Sequence, residues 1–141
     1  MKKSKRRIDY IAIHCAATPE GKNFTARDID RWHKKIGWSG IGYNYVIKLD
    51  GTLELGRDVD LVPAHVKGFN RSSIGVVYVG GVDASGKPKD TRTPQQKETM
   101  IKLLKDLRKL YPNAKILGHR DFPSVKKACP SFDAKNEYKN I

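Results

Sequence analysis

Residues 93–111, TPQQKETMIKLLKDLRKLY, constrain the fold of this chain more than any other stretch. Thr93 suits an N-cap, Pro94 the first helical position, and Gln96 the far side of a capping box. Met100, Leu103, Leu104, Leu107, Leu110 and Tyr111 then recur at steps of three and four, which puts a single apolar stripe on the helix. Such a stripe must lie on another apolar layer, and the pieces available to build that layer are short and β-branched. IDYIAIH, residues 8–14, alternates as a strand does. Ile74–Val79 is an apolar run closed by Gly80-Gly81 and suits a buried central strand, and AKIL after Pro112 is a third, shorter one. YNYVIKLDGTLELGR holds two alternating runs around Asp50-Gly51, a dipeptide that tolerates the positive φ angles of a tight hairpin. TARDIDRWHKK offers a second helix, with Thr25 as N-cap, Asp28 at the capping-box position and Gly37 as the stop, and a terminal helix is expected near Asp133. Strands interleaved with helices predict an α/β fold. The expectation is a single layered domain, its central mixed β-sheet of about five strands flanked by about three helices.

A length of 141 residues fits one domain, here divided into a basic N-terminal tail, 1–7, and a body, 8–141. Lys2, Lys3, Lys5, Arg6 and Arg7 before IDYIAIHCAA imitate the start of a secretory signal. The apolar stretch, however, is short, alternating and interrupted by Asp9 and His14, so a signal is rejected and synthesis in the cytoplasm is expected. No run reaches the roughly 18 apolar residues of a membrane-spanning helix. The net charge is +13, and removing the five basic residues of the tail still leaves +8. Basicity therefore belongs to the body too and favours anionic partners: nucleic acid, acidic envelope polymers or membrane surfaces. Two cysteines, Cys15 and Cys129, cannot form a disulfide framework.

His14 ends the first strand and His119 follows the last, and strand ends in an α/β sheet are where sites are commonly built. With Cys129 they make a donor set suited to a catalytic zinc ion, two imidazoles and a thiolate with the fourth position left for water. The histidines are 105 positions apart, so only the folded sheet can bring them together, and hydrogen-bonded structural histidines remain the competing explanation.

The segments IAIHCAAT, IGYNYVIKLDGTLELGRD, AHVKGFNRSSIGVVYVGG, TPQQ and GHRDFPSVKKACPSFD occur in this order over residues 8–133. Together they resemble the zinc-dependent N-acetylmuramoyl-L-alanine amidases, which share the fold of the peptidoglycan recognition proteins. The resemblance implies that His14, His119 and Cys129 bind Zn2+, that Tyr43 in GYNY and Lys127 before Cys129 are catalytic, and that His65 belongs to the substrate cleft. It also implies an amidohydrolase that cuts between N-acetylmuramic acid and L-alanine in peptidoglycan. Without a recognisable wall-anchoring module, the chain resembles a phage or prophage endolysin, or an effector delivered to the wall. A monomer with no specific nucleic-acid partner and no membrane insertion is expected. Competing readings are a non-catalytic peptidoglycan-binding module and, from the charge, a nucleic-acid-binding protein, although no nucleic-acid-reading motif is present. Cys15 should face away from His14 by strand alternation and serve as a small buried hydrophobe, and His33 should pack or lie at the surface. A Cys15–Cys129 disulfide is disfavoured because it would remove the third ligand.

Overall fold

The computed structural model describes residues 1–141. In chain order its elements are β1 (Tyr10–Cys15), β2 (Thr18–Pro19), α1 (Ala26–Lys35), β3 (Tyr45–Ile47), β4 (Leu53–Leu55), β5 (Ser73–Tyr78), β6 (Gly81–Val82), α2 (Pro94–Leu110), β7 (Lys115–Gly118) and α3 (Ala134–Glu137). Single 3-10 turns stand at Asn70–Ser72 and His119–Asp121. The main sheet has five strands in the order β4-β3-β5-β1-β7. All neighbours are parallel except the β3–β4 hairpin, so the sheet is mixed, as the sequence predicts. The two-residue strands β2 and β6 form a small parallel pair of their own, too short to leave a sequence signal.

Alternation along the central strands sorts the two faces. Ile11, Ile13 and Cys15 of β1 and Ile74, Val76 and Tyr78 of β5 point to one side and pack on Met100, Leu103, Leu104 and Leu107 of α2. Each fully buried aliphatic side chain there contributes about 1.5–3 kcal/mol. On the other side Val46, Val77 and Val79 meet Ile29 of α1, and Ala12 meets Val66 and Phe122. Both long helices start as their sequences predict: Thr25 with Asp28 and Thr93 with Gln96 form complete capping boxes. Gln96 is 1% exposed and does more than cap. Its amide Nε2 donates to the carbonyls of Ile47 and Val79, tying the start of α2 to the ends of β3 and β5.

The hairpin is one residue wider than a two-residue turn. Gly51 N–H donates to the Lys48 carbonyl, Lys48 N–H donates to Thr52, and only Gly51, at φ +87°, is left-handed. Asp50 is not; its carboxylate accepts from Thr52 N–H instead. This is a turn with a following glycine bulge, a common three-residue hairpin loop.

Residues 1–7 carry no helix or strand, yet they are docked on the body rather than trailing from it. Ser4 is 6% exposed and donates its hydroxyl to the Val59 carbonyl. Lys2 pairs with Asp58 and Asp60, and the Arg6 guanidinium donates to the carbonyls of Val59, Arg71 and Ser73.

Candidate metal centre

The register of the parallel strands builds the site. Ile13 is paired with Gly118 across β1 and β7, so the next residues in each strand direction, His14 and His119, leave the same edge of the sheet side by side. Their ring centroids are 4.6 Å apart. Cys129 arrives from the loop after β7. Its carbonyl accepts from Arg120 N–H at 2.9 Å, and the Tyr78 hydroxyl holds the following Pro130 carbonyl at 2.6 Å. The donor atoms of His14, His119 and Cys129 lie within 4.8 Å of one another, with His14 Nδ1 facing Cys129 Sγ at 3.8 Å. Cys15 N–H donates to that sulfur at 3.2 Å, a contact that favours a thiolate there.

The remaining residues singled out in the sequence converge on the same place. The Tyr43 ring stands 5.0 Å from the His14 ring and 5.6 Å from that of His33. His33 is a packing residue: it lies against Trp38 and accepts Gly42 N–H at Nδ1, which steadies the loop carrying Tyr43. Lys127, His65 and His119 share the wall of a cleft of about 710 Å³ that also includes Lys67 and Lys126 and has no carboxylate in its lining. His65 sits at this wall with both ring nitrogens committed within the protein, Nδ1 to His14 Nε2 at 2.7 Å and Nε2 to Ser73 Oγ at 2.8 Å. Cys15 points to the α2 face, as alternation requires, and both cysteines are free thiols.

Burial sets the protonation of the cluster. It holds His14 well below the usual imidazole range, with the proximity of His65, His119 and Lys127 disfavouring a further proton there. His65 is driven down to about 3 by burial, with His119, Arg6 and Arg57 adding to it, and His119 is lowered by burial and Lys127. All three imidazoles are therefore neutral at neutral pH, with lone pairs to offer. The Tyr43 phenol is pushed up by burial and by Cys129 and Cys15, so it remains a hydroxyl donor. The Cys129 thiol is pushed up by the adjacent Cys15 and by burial. A cation is what would draw off its proton.

Supports of the site left no trace in the sequence reading. The Arg57 guanidinium donates to the carbonyls of Gly40, Ile41 and Val62, clamping the Tyr43 loop to the segment that leads to His65. Asn70 Oδ1 accepts the N–H groups of His65 and Val66. Ordinary polar loop residues carry no local pattern that distinguishes such roles.

Residues 4–132 match the N-acetylmuramoyl-L-alanine amidase family. The chain is 46% identical over 129 residues to the endolysin of Enterobacteria phage K11, covering 92% of this chain and 84% of that protein. It is 44% identical over 133 residues to the endolysin of Escherichia phage T7, covering 94% and 87%. Among solved structures, the N-acetylmuramoyl-L-alanine amidase LysC from Clostridium intestinale superposes with a TM-score of 0.78 at 30% identity, over 97% of this chain and 86% of that one. With nearly the full length matched and the five-stranded mixed sheet in common, the chain belongs to the N-acetylmuramoyl-L-alanine amidase family.

Proposed function

We propose that the chain is a zinc hydrolase that cleaves the amide between the lactyl group of N-acetylmuramic acid and L-alanine in peptidoglycan. The observation that carries this reading is the convergence of His14, His119 and Cys129 within 4.8 Å, at the edge of a cleft shared with Lys127. The donor set suits zinc: two neutral imidazoles and one sulfur, the latter accepting a backbone N–H. His14, His119 and Cys129 would hold the ion, which when bound supplies a Lewis acid to polarise the scissile carbonyl and acidify water.

The chain's own groups do the rest. Tyr43 keeps its proton across neutral pH and donates it as a hydrogen bond, either to orient the attacking water or to meet the charge that develops on the carbonyl oxygen. Lys127 supplies a second, cationic donor from the cleft wall. Lys67, Lys126 and Lys127 give that wall a positive field that suits the carboxylates of peptide stems. No helix is long and apolar enough to cross a membrane. In this reading the protein is made in the cytoplasm, acts as a monomer, and reaches the wall by release or delivery, as an endolysin does.

The test is digestion of purified sacculi by the zinc-loaded protein, with mass analysis of the products. Free peptides beginning with L-alanine, and glycan strands carrying intact lactyl groups, are expected. Cleavage within the peptide or the glycan would overturn the assignment. Tight binding without any product would favour a binding module.

A further inference from the structure

His65 lines the cleft, yet its ring is engaged from within the protein. Its ring lies between His14 and Ser73, and neither of its nitrogens is left to meet a bound peptide. The seat is built for it. Gly75, in the middle of β5, has no side chain at the point where a Cβ would stand 3.0 Å from His65 Cγ and Nδ1. Asn70 fixes the loop backbone at residues 65 and 66, and Arg6 holds the Ser73 carbonyl at 3.1 Å. Ser73 itself is fully buried.

The direction of the bonds follows from His14. A histidine that offers its Nδ1 lone pair to a cation carries its proton on Nε2, and His14 Nδ1 is the nitrogen that faces Cys129. Nε2–H of His14 therefore donates to His65 Nδ1, which leaves the His65 proton on Nε2 to be donated to Ser73 Oγ. We propose that His65 is the positioning residue of the metal centre, accepting the Nε2 proton of His14 with Ser73 behind it, so that His14 is fixed in the tautomer and orientation that present Nδ1 beside Cys129. Histidine ligands commonly donate their second nitrogen to a carbonyl or carboxylate, and losing that partner typically costs about 10- to 100-fold in metal affinity. Here a second neutral imidazole does this work.

The inference rests on His14, His119 and Cys129 being the zinc ligands, and the experiment separates the two. Metal-free wild type, His65→Phe, His65→Asn and Ser73→Ala are titrated with zinc in competition with a chromophoric chelator, and each metal-free protein is melted as a control. Phenylalanine keeps the ring but has no acceptor, whereas asparagine places an amide oxygen near the position of Nδ1. His65→Phe should lose about 10- to 100-fold in zinc affinity. His65→Asn should recover most of that loss, and Ser73→Ala should weaken binding less than His65→Phe. Wild-type affinity in His65→Phe, or no recovery in a folded His65→Asn, overturns the positioning role. If His65→Phe does not fold, Ser73→Ala decides: weaker zinc binding at an unchanged melting temperature supports the relay, and unchanged binding refutes it. Absence of zinc binding by the wild type would instead overturn the metal reading itself.

Discussion

Replacing Tyr43 by phenylalanine separates chemistry from architecture at one atom. The ring packs against His14 and His33 and borders the cluster of Ile29, Ile41 and Val46, and phenylalanine preserves every one of these contacts. The fold should therefore change by less than about 1 kcal/mol, the net worth of a single neutral hydrogen bond. Zinc content should be that of the wild type, since no metal donor is touched. If the hydroxyl orients the nucleophile or meets the developing oxyanion, its loss should raise the barrier by about 3 kcal/mol, or roughly 150-fold in turnover. Substrate affinity should move far less, because the carbonyl oxygen gains its charge only along the reaction path. The measurement is single-turnover cleavage of a muramoyl peptide by zinc-loaded protein, with binding measured in parallel. Because the phenol is held protonated by burial, the defect should be constant from about pH 6 to pH 9. A wild-type rate in Tyr43→Phe would refute the catalytic role; loss of zinc or of the fold would make the residue structural.

Cys129→Ser should sharply weaken zinc retention, because a hydroxyl seldom ionises to become a ligand, whereas Cys15→Ala should retain the ion, since it removes a thiol that neighbours the Cys129 sulfur but keeps the backbone N–H that donates to it and leaves all three donors in place; equal metal content in Cys129→Ser and wild type would count against the donor set. Lys127→Ala should keep its zinc and fold while losing about 10²- to 10³-fold in turnover, measured in the same single-turnover assay. Gln96→Leu removes three hydrogen bonds, from Thr93 N–H and to the Ile47 and Val79 carbonyls, for a cost of about 3 kcal/mol. With an unfolding entropy of about 0.3 kcal/mol/K for a chain of 141 residues, calorimetry should find Tm lowered by about 10 °C. The His33 imidazole is lowered by burial and then by Arg57, so its contribution to stability is full above the unfolded value of about 6.5 and is lost as pH falls below it. An NMR titration placing His33 at or above 6.5 would contradict that.

Local signals gave the elements and distant contacts gave the site. Thr93, Pro94 and Gln96 announce a helix start because capping is chemistry within four residues, and the stripe from Met100 to Leu107 announces its buried face for the same reason. The hairpin is legible in Asp50-Gly51, but the turn's width is not: Asp50 stays out of the left-handed region and its carboxylate accepts from Thr52 N–H, a choice between two turns that the dipeptide allows. Leu110 belongs to the helical stripe by spacing, yet it is only half-buried at the edge of the core. The candidate ligands are suggested by their places at strand ends and their donor chemistry, but only the resemblance to a family singles them out from structural histidines, since 105 positions separate His14 from His119 and nothing in either segment refers to the other. The commitments of His65 to His14 and Ser73, and of Arg6 to Ser73, depend on which loops the sheet brings together. The basic residues at the start read only as a tail because charge patterning says nothing about the carbonyls and carboxylates waiting on the body.

The order of strands in the sheet also sets when the centre can come into existence. β1 has no neighbour nearby in the chain: Ile13 waits for Val76 on one side and for Gly118 on the other. His14 and Cys129 are 115 positions apart, so at about 5–20 residues per second a ribosome takes on the order of ten seconds to follow the first with the second. During that interval the nascent chain can close the β3–β4 hairpin but cannot assemble the three donors. Metal capture is thus a late event of folding, and an ion held tightly at this place reports that β7, the edge strand beside β1, has already docked.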